Sequence, residues 1–152
     1  MNILEKALGV MEQREFIGLA TANKKAVPNA APKLLLKSTG KTIYFVDYSF
    51  GRTAENLREN PQVSFCLMDH NALIGYRLTG SVEIIEKGKI YEECLKELRE
   101  KQISLSVERV LKAVQQNTVH KGFEVEIPER FLLYKVTVEE AVEITPRGEV
   151  KR

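Results

Sequence analysis

The sequence predicts a mainly β fold: a six-stranded antiparallel barrel carrying helices. Three observations predict it. Short runs rich in β-branched and aromatic residues recur along the chain, among them Phe16–Ala22, Thr42–Asp47 and Gln62–Met68. Brief turns such as Asn23-Lys24-Lys25 and Ser38-Thr39-Gly40-Lys41 join them, which suits antiparallel meanders and leaves no room for parallel crossovers. Several runs are apolar on both faces, as in Ile43-Tyr44-Phe45-Val46, so one face can fill a barrel while the other needs cover from a helix or a second subunit.

Each element follows from its own pattern. Over residues 2–13, Ile3, Leu4, Ala7, Leu8 and Met11 recur at helical steps, with Glu5, Lys6, Glu12 and Gln13 opposite. Phe16–Ala22 reads as a strand, and 26–37 as a second extended segment. Gly40 is available for positive φ in the hairpin that leads to the third strand, Thr42–Asp47. A short helix at about 51–60 is stopped by Asn60-Pro61. Gln62–Met68 and Leu73–Ile85 are two more strands around a loop with Asp69, His70 and Asn71. Residues 87–117 form a helical insertion with two apolar stripes, Ile90, Cys94, Leu95 and Leu98, then Val107, Val110, Leu111 and Val114. In the last strand, Phe131–Ile144, Val136, Val138, Val142 and Ile144 alternate with Thr137, Glu139, Ala141 and Glu143.

With 152 residues the chain is expected to be one domain, 1–152, able to bury a core without disulfides. A net charge of +2, from 23 basic and 21 acidic residues, is too small for the field of a duplex-binding protein. Lys24, Lys25, Lys33, Lys37 and Lys41 cluster, yet no aromatic residues interleave them, so solvated turns and strand ends are expected and no nucleic-acid partner. Cys66 and Cys94 are expected to be buried thiols, consistent with a reducing, cytoplasmic setting. Glu5 and Lys6 interrupt the first apolar stretch, and runs such as Leu34-Leu35-Leu36 are far too short to cross a bilayer, so no membrane partner is expected.

Three stretches carry candidate chemistry. Ser49-Phe50-Gly51-Arg52-Thr53-Ala54-Glu55-Asn56 joins a strand end to a helix start, where free N–H groups and the positive helix end favour an anion. Gly51 permits close approach, Arg52 offers a phosphate-matched fork and Thr53 a hydroxyl. The plainer alternative is capping by Ser49 or Thr53 with Arg52 in solvent. Val27-Pro28-Asn29-Ala30-Ala31-Pro32-Lys33 places two prolines four apart, which belongs at a sheet edge. The N–H groups of Asn29, Ala31 and Lys33 are then expected to point to the other edge and stay available to a flat heterocycle, the alternative being an ordinary irregular edge. Gly75-Tyr76-Arg77-Leu78-Thr79-Gly80 sets Arg77 within a strand, facing solvent, a cofactor or a subunit interface. His70 and His120 lie in separate loops without the spacing of a metal site, and no nucleophile elbow, GxGxxG or P-loop occurs, so neither metal nor catalytic side chains are assigned.

These stretches occur in the same order in one family. With Phe16-Ile17-Gly18-Leu19-Ala20-Thr21, Ile43-Tyr44-Phe45-Val46-Asp47 and Gly51-Arg52-Thr53-Ala54-Glu55-Asn56-Leu57-Arg58-Glu59-Asn60-Pro61, the chain resembles the pyridoxamine 5′-phosphate oxidase-like FMN-binding split-barrel proteins. The resemblance covers residues 1–86 well and the final strand loosely. It implies a six-stranded split barrel and a homodimer with an FMN in each of two interface clefts. Arg52 and Thr53 would hold the phosphate. Asn29 and the backbone around Ala31, Pro32 and Lys33 would meet the ring, with Val46 and Asp47 beside it and Gly51 at the corner. Lys33 would place positive charge near the reduced ring. The implied activity is electron transfer through flavin N5, from a nicotinamide or other small-molecule donor to an unknown acceptor. Electron carriage or sensing without a substrate is one alternative, and a split barrel using deazaflavin or haem is another. The Trp- and Arg-containing C-terminal motif of the true oxidases is missing, since the chain has no Trp, so the resemblance is to the flavin reductase or FMN-binding type.

Overall fold

The chain enters through helix α1 (Ile3–Met11), closed by a reciprocal cap. The Asn2 side chain accepts from the Glu5 N–H at 2.8 Å, and the Glu5 carboxylate accepts from the Asn2 N–H at 2.9 Å. Ala7 and Met11 on its apolar face are fully buried. This computed structural model describes residues 1–116 and 129–152, in two units: Met1–Glu86 with Phe131–Arg152, and Lys87–Arg130.

The first unit holds strands β1 (Phe16–Ala22), β2 (Pro28–Thr39) and β3 (Thr42–Asp47), helix α2 (Arg52–Glu59), then β4 (Gln62–Asp69), β5 (Ile74–Ile85), β6 (Leu132–Ile144) and the short β7 (Val150–Lys151). The sheet order is β3-β2-β1-β4-β5-β6-β7, and pairing of β3 with β6 closes β1–β6 into a six-stranded antiparallel barrel. The β1–β4 seam is the weak one, paired only at Leu19–Phe65 and Ala20–Ser64. Inward side chains such as Leu19, Phe45, Phe65, Leu78 and Tyr134 fill the barrel, with the Phe45 and Phe65 rings edge to face at 5.6 Å. Gly40 adopts φ +59° in the β2–β3 hairpin, as that turn requires.

Period-two alternation corrects two expectations. In β4, Val63, Phe65 and Leu67 point inward, which turns Cys66 outward: it is exposed, not buried. In β6 the expected uniform alternation breaks. Gly80 pairs with Val138, yet Thr79 pairs with Glu140, so Glu139 is an extra residue that reverses the phase beyond it. Glu143 is therefore buried, held by Lys6 at 3.1 Å, while Ile144 is 38% exposed.

The second unit is described by α3 (Lys89–Gln115), which starts after Gly88 at φ +101°. Both predicted stripes fall on this one helix. Cys94 and Leu98 are buried, whereas Val107, Val110, Leu111 and Val114 are exposed. Residue 117, the expected end of the insertion, and His120 lie outside the described residues. No described helix is long and apolar enough to cross a membrane.

Candidate functional site at the β3–α2 corner

Strand β3 ends at Asp47 and α2 begins at Arg52, so a short turn brings a strand end and a helix start together. The turn is tight enough to hold Phe50 at φ +50°, a costly conformation for an aromatic residue and one that recurs at functional sites. Gly51 caps the helix without any side-chain hydrogen bond. Capping by Ser49 or Thr53 therefore fails, since the Ser49 hydroxyl donates to Asp47 Oδ1 at 2.7 Å, although Arg52 is exposed as that alternative expected. The first intrahelical bond runs from the Glu55 N–H to the Gly51 carbonyl, and the N–H groups of Arg52, Thr53 and Ala54 donate to no acceptor among the described residues. Arg52 is exposed and makes no ion pair or hydrogen bond among them. A Cβ placed on Gly51 would meet only the Ser49 hydroxyl, at 3.7 Å, so the corner is open. The positive helix end and the uncommitted Arg52 guanidinium fit a phosphate, while Thr53 and Ala54, at 1% and 0% exposure, keep their N–H groups away from solvent.

The inner side of the helix is fixed by polar contacts. Thr53 is buried and its Oγ1 accepts from Asn29 Nδ2 at 3.3 Å. Asn56 donates to the Thr21 hydroxyl at 3.1 Å, and Asn60 Nδ2 donates to the Ala22 carbonyl at 3.1 Å. Ala54 and Leu57 bury their apolar surface beside them. Thr53, Ala54, Asn56 and Leu57 are thus the docking face of α2, while Ser49, Phe50, Arg52 and the first-turn carboxylate Glu55 are exposed at the corner.

Below the turn lies a charged network. Lys33 Nζ donates to Asp47 Oδ1 at 2.8 Å and to the Ser49 hydroxyl at 3.0 Å, and the Tyr134 hydroxyl donates to Asp47 Oδ2 at 2.5 Å. The Ser49 N–H adds a fourth bond to Asp47, at 2.9 Å. Lys33 is 5% and Asp47 1% exposed. Lys33, which sequence clustering grouped with solvated lysines, is therefore buried. Its odd position in β2 shares the inward face of Leu35. Burial works to raise the Asp47 pKa, but hydrogen bonds from Lys33, Tyr134 and Ser49 together leave it below its ordinary 3.8. Burial first, then the bond to Asp47 and its charge, raise the Tyr134 phenol well above its ordinary 10.0. A lowered carboxylate pKa contributes stability that is whole above 3.8 and is lost as pH falls through the folded value. A raised phenol pKa contributes stability that is whole below 10.0 and is lost as pH rises beyond it. Urea midpoints are expected to drop below about pH 4, and Asp47→Asn to flatten part of that drop; an unchanged acid limb in the variant would remove Asp47 from the account.

The register of β2 overturns one expectation. The Leu35 N–H bonds to the Glu15 carbonyl and the Asn23 N–H to the Val27 carbonyl, so odd positions of this segment face β1. The N–H groups of Asn29, Ala31 and Lys33 are consequently turned to Thr21, Leu19 and Ile17 and are not available. β3 pairing starts only at Leu34–Val46, which leaves an open edge at 28–33 offering the Ala30 N–H and the carbonyls of Pro28, Ala30 and Pro32. Both prolines do sit with their missing donor at that edge. Pro32 is exposed, Ala31 half-buried and Val46 buried. Arg77 is half-exposed on the outer barrel face, 3.4 Å from Glu140. His70 lies elsewhere, in a polar cavity of about 240 Å³ with Arg14, Met68 and Asp69.

The site's Tyr134 and the anchoring role of Ser49 were not found from sequence. Tyr134 sits in an apolar run, and nothing local shows that its hydroxyl meets a residue 87 positions away.

The family described as pyridoxamine 5′-phosphate oxidase matches residues 3–143. The chain belongs to the pyridoxamine 5′-phosphate oxidase-like split-barrel family. Solved structures agree in fold. HupZ from Group A Streptococcus is 20% identical, with 93% of this chain and 94% of that chain covered and a TM-score of 0.65. HutZ, a haem storage protein from Vibrio cholerae, is 16% identical, with 98% and 100% covered and a TM-score of 0.63. A pyridoxamine 5′-phosphate oxidase-related, FMN-binding protein from Nostoc punctiforme is 14% identical, with 96% and 84% covered and a TM-score of 0.58. At these identities the likeness shows the fold. No curated protein matches the chain.

Proposed function

We propose that this split barrel is an FMN-binding, cytoplasmic oxidoreductase that works as a homodimer. The observation carrying the reading is the β3–α2 corner, where an exposed Arg52, with no ion pair or hydrogen bond among the described residues, stands at a helix start that no side chain caps. That donor set suits a phosphate monoester. The Arg52 guanidinium would pair with its oxygens, the Arg52 N–H would meet it at the helix start, and Gly51 would allow the approach. Asn29 keeps the Thr53 hydroxyl oriented, its oxygen already accepting and its proton free to donate. The open edge of β2 offers one donor and three acceptors to the edge of a heterocycle. Flavin, once bound, supplies hydride and electron transfer between a nicotinamide-type donor and an acceptor. The protein's part is to bind, orient and exclude water.

Exposed apolar surface supports a second copy as cover. Phe16, Val27 and Met68 are 53%, 44% and 39% exposed. Phe16 and Met68 share the outward barrel face with Gly18, Ala20 and Cys66. Sedimentation of the native protein is expected to give a dimer.

The deciding experiment is the visible spectrum of unsupplemented protein followed by FMN titration. Flavin bands are expected; a Soret band would favour haem, shorter-wavelength deazaflavin absorption would favour that cofactor, and a colourless protein that takes up no FMN would count against the reading. Bound FMN that neither NADH nor NADPH reduces would point to an electron carrier. Arg52→Ala is expected to cost about 1.5–3 kcal/mol of FMN binding while leaving riboflavin affinity unchanged. Equal FMN affinity in both proteins would remove Arg52 from the site.

A further inference from the structure

We infer that Lys33 serves the anion site indirectly, as the counter-charge of Asp47, and that Asp47 is the positioning residue that fixes the turn into α2. The inference rests on the reading that a phosphate occupies the β3–α2 corner. Lys33 and Asp47 are inside the barrel mouth, with side chains 6% and 1% exposed. The ammonium spends two of its three protons on Asp47 and Ser49. Asp47 in turn takes both the N–H and the hydroxyl of Ser49. Ser49 lies three residues before Arg52, so this double bond sets the path of the chain into the helix. The Tyr48 ring, set edge-on to Phe131 at 6.4 Å, braces the same turn. An uncompensated carboxylate at this place, poorly screened by water, would oppose any dianion brought to the corner. Lys33 cancels it, and Tyr134 holds the second carboxylate oxygen on the far side.

The test compares wild type, Lys33→Met and Lys33→Met with Asp47→Asn. Affinities for FMN and for riboflavin, which lacks the phosphate, are read by flavin fluorescence, and protection by inorganic phosphate is read by thermal unfolding. Lys33→Met is expected to weaken FMN at least about tenfold more than riboflavin, because it leaves Asp47 charged and unpaired. The loss should shrink as pH is lowered, since protonation of Asp47 relieves it. In the double variant the amide put in place of the Asp47 carboxylate still accepts from the Ser49 N–H and carries no charge. The ratio of FMN to riboflavin affinity should then return to within about threefold of wild type. A double variant as weak as Lys33→Met would show Lys33 touching the ligand itself, and equal losses for FMN and riboflavin would show a merely structural role. Either result overturns the inference. If Lys33→Met does not fold, Lys33→Gln, which keeps a donor without the charge, is read in its place. Phosphate protection separates the two claims. Wild type and double variant protected above the lysine variant, with no FMN bound by any, would sustain this inference and sink the flavin reading; no such order would sink the inference.

Discussion

Lys33→Met is expected to cost about 3–5 kcal/mol of folding stability, and adding Asp47→Asn to restore most of it. The size comes from burial. Two charges with side chains 6% and 1% exposed are held at 2.8 Å. Their attraction offsets a desolvation cost of several kcal/mol for each ion. Removing the ammonium leaves the cost of burying the carboxylate and withdraws its main compensation. Tyr134 and Ser49 still donate, but they are neutral. The Asp47 pKa, held below its ordinary value by those donors and Lys33, should then rise. If it rises above the ordinary carboxylate value, the lysine variant regains stability as pH falls, the reverse of wild type. The double variant buries two neutral groups. Its introduced amide can accept from Ser49 through its oxygen and must donate through its NH2 to the Tyr134 hydroxyl, and a loss of about 1–2 kcal/mol is expected from imperfect pairing. Urea denaturation at two pH values measures all three. A Lys33→Met loss under about 1 kcal/mol would mean that the pair is hydrated in solution and that its burial is not energetic.

The contrast between legible and illegible features follows from the range of the interactions. Element order could be read because each strand carries its own alternation and each turn its own chemistry: Gly40 demanded a positive φ, and Asn60-Pro61 ended a helix. The β3–α2 corner was visible for the same reason, since Gly51, Arg52 and Thr53 are neighbours in the chain. Register was not visible. Whether the N–H of Ala31 faces β1 or the open edge depends on a pairing one residue either way, and a slip of one reverses every group. The phase of β6 was hidden too, because Glu139 looks like any outward glutamate until Gly80 and Val138 are seen to pair. The burial of Lys33 was least legible. A lysine beside Pro32 reads as solvent-facing, and only the meeting of β2, β3 and β6 around one carboxylate reverses that.

That same bulge supplies the second large effect: Gly80→Ala is expected to lose about 3 kcal/mol or more, at the top of the range for overpacking. Gly80 sits in β5 where the register with β6 shifts, and both strands are central, each hydrogen-bonded on either side. A Cβ there would lie 2.1 Å from the Thr137 carbonyl oxygen, 2.9 Å from its carbon and 3.1 Å from Val138 Cα. These are backbone atoms of a paired strand, so no side chain can swing aside to relieve the clash. Either the β5–β6 ladder opens locally or Glu139 changes its place in the bulge. The second outcome would turn Glu143 toward solvent and Ile144 toward the core, breaking the ion pair with Lys6. Gly75, five residues earlier on the same strand, is the control. A Cβ there meets Ile144 Cβ at 3.7 Å, an ordinary contact, and alanine lowers the backbone entropy that folding must overcome. Gly75→Ala should therefore be neutral or slightly stabilising. Chemical denaturation of the two variants side by side decides the matter. If Gly80→Ala falls within about 0.5 kcal/mol of Gly75→Ala, the tight approach of β5 to Thr137 does not exist in solution and the phase reversal in β6 loses its cause.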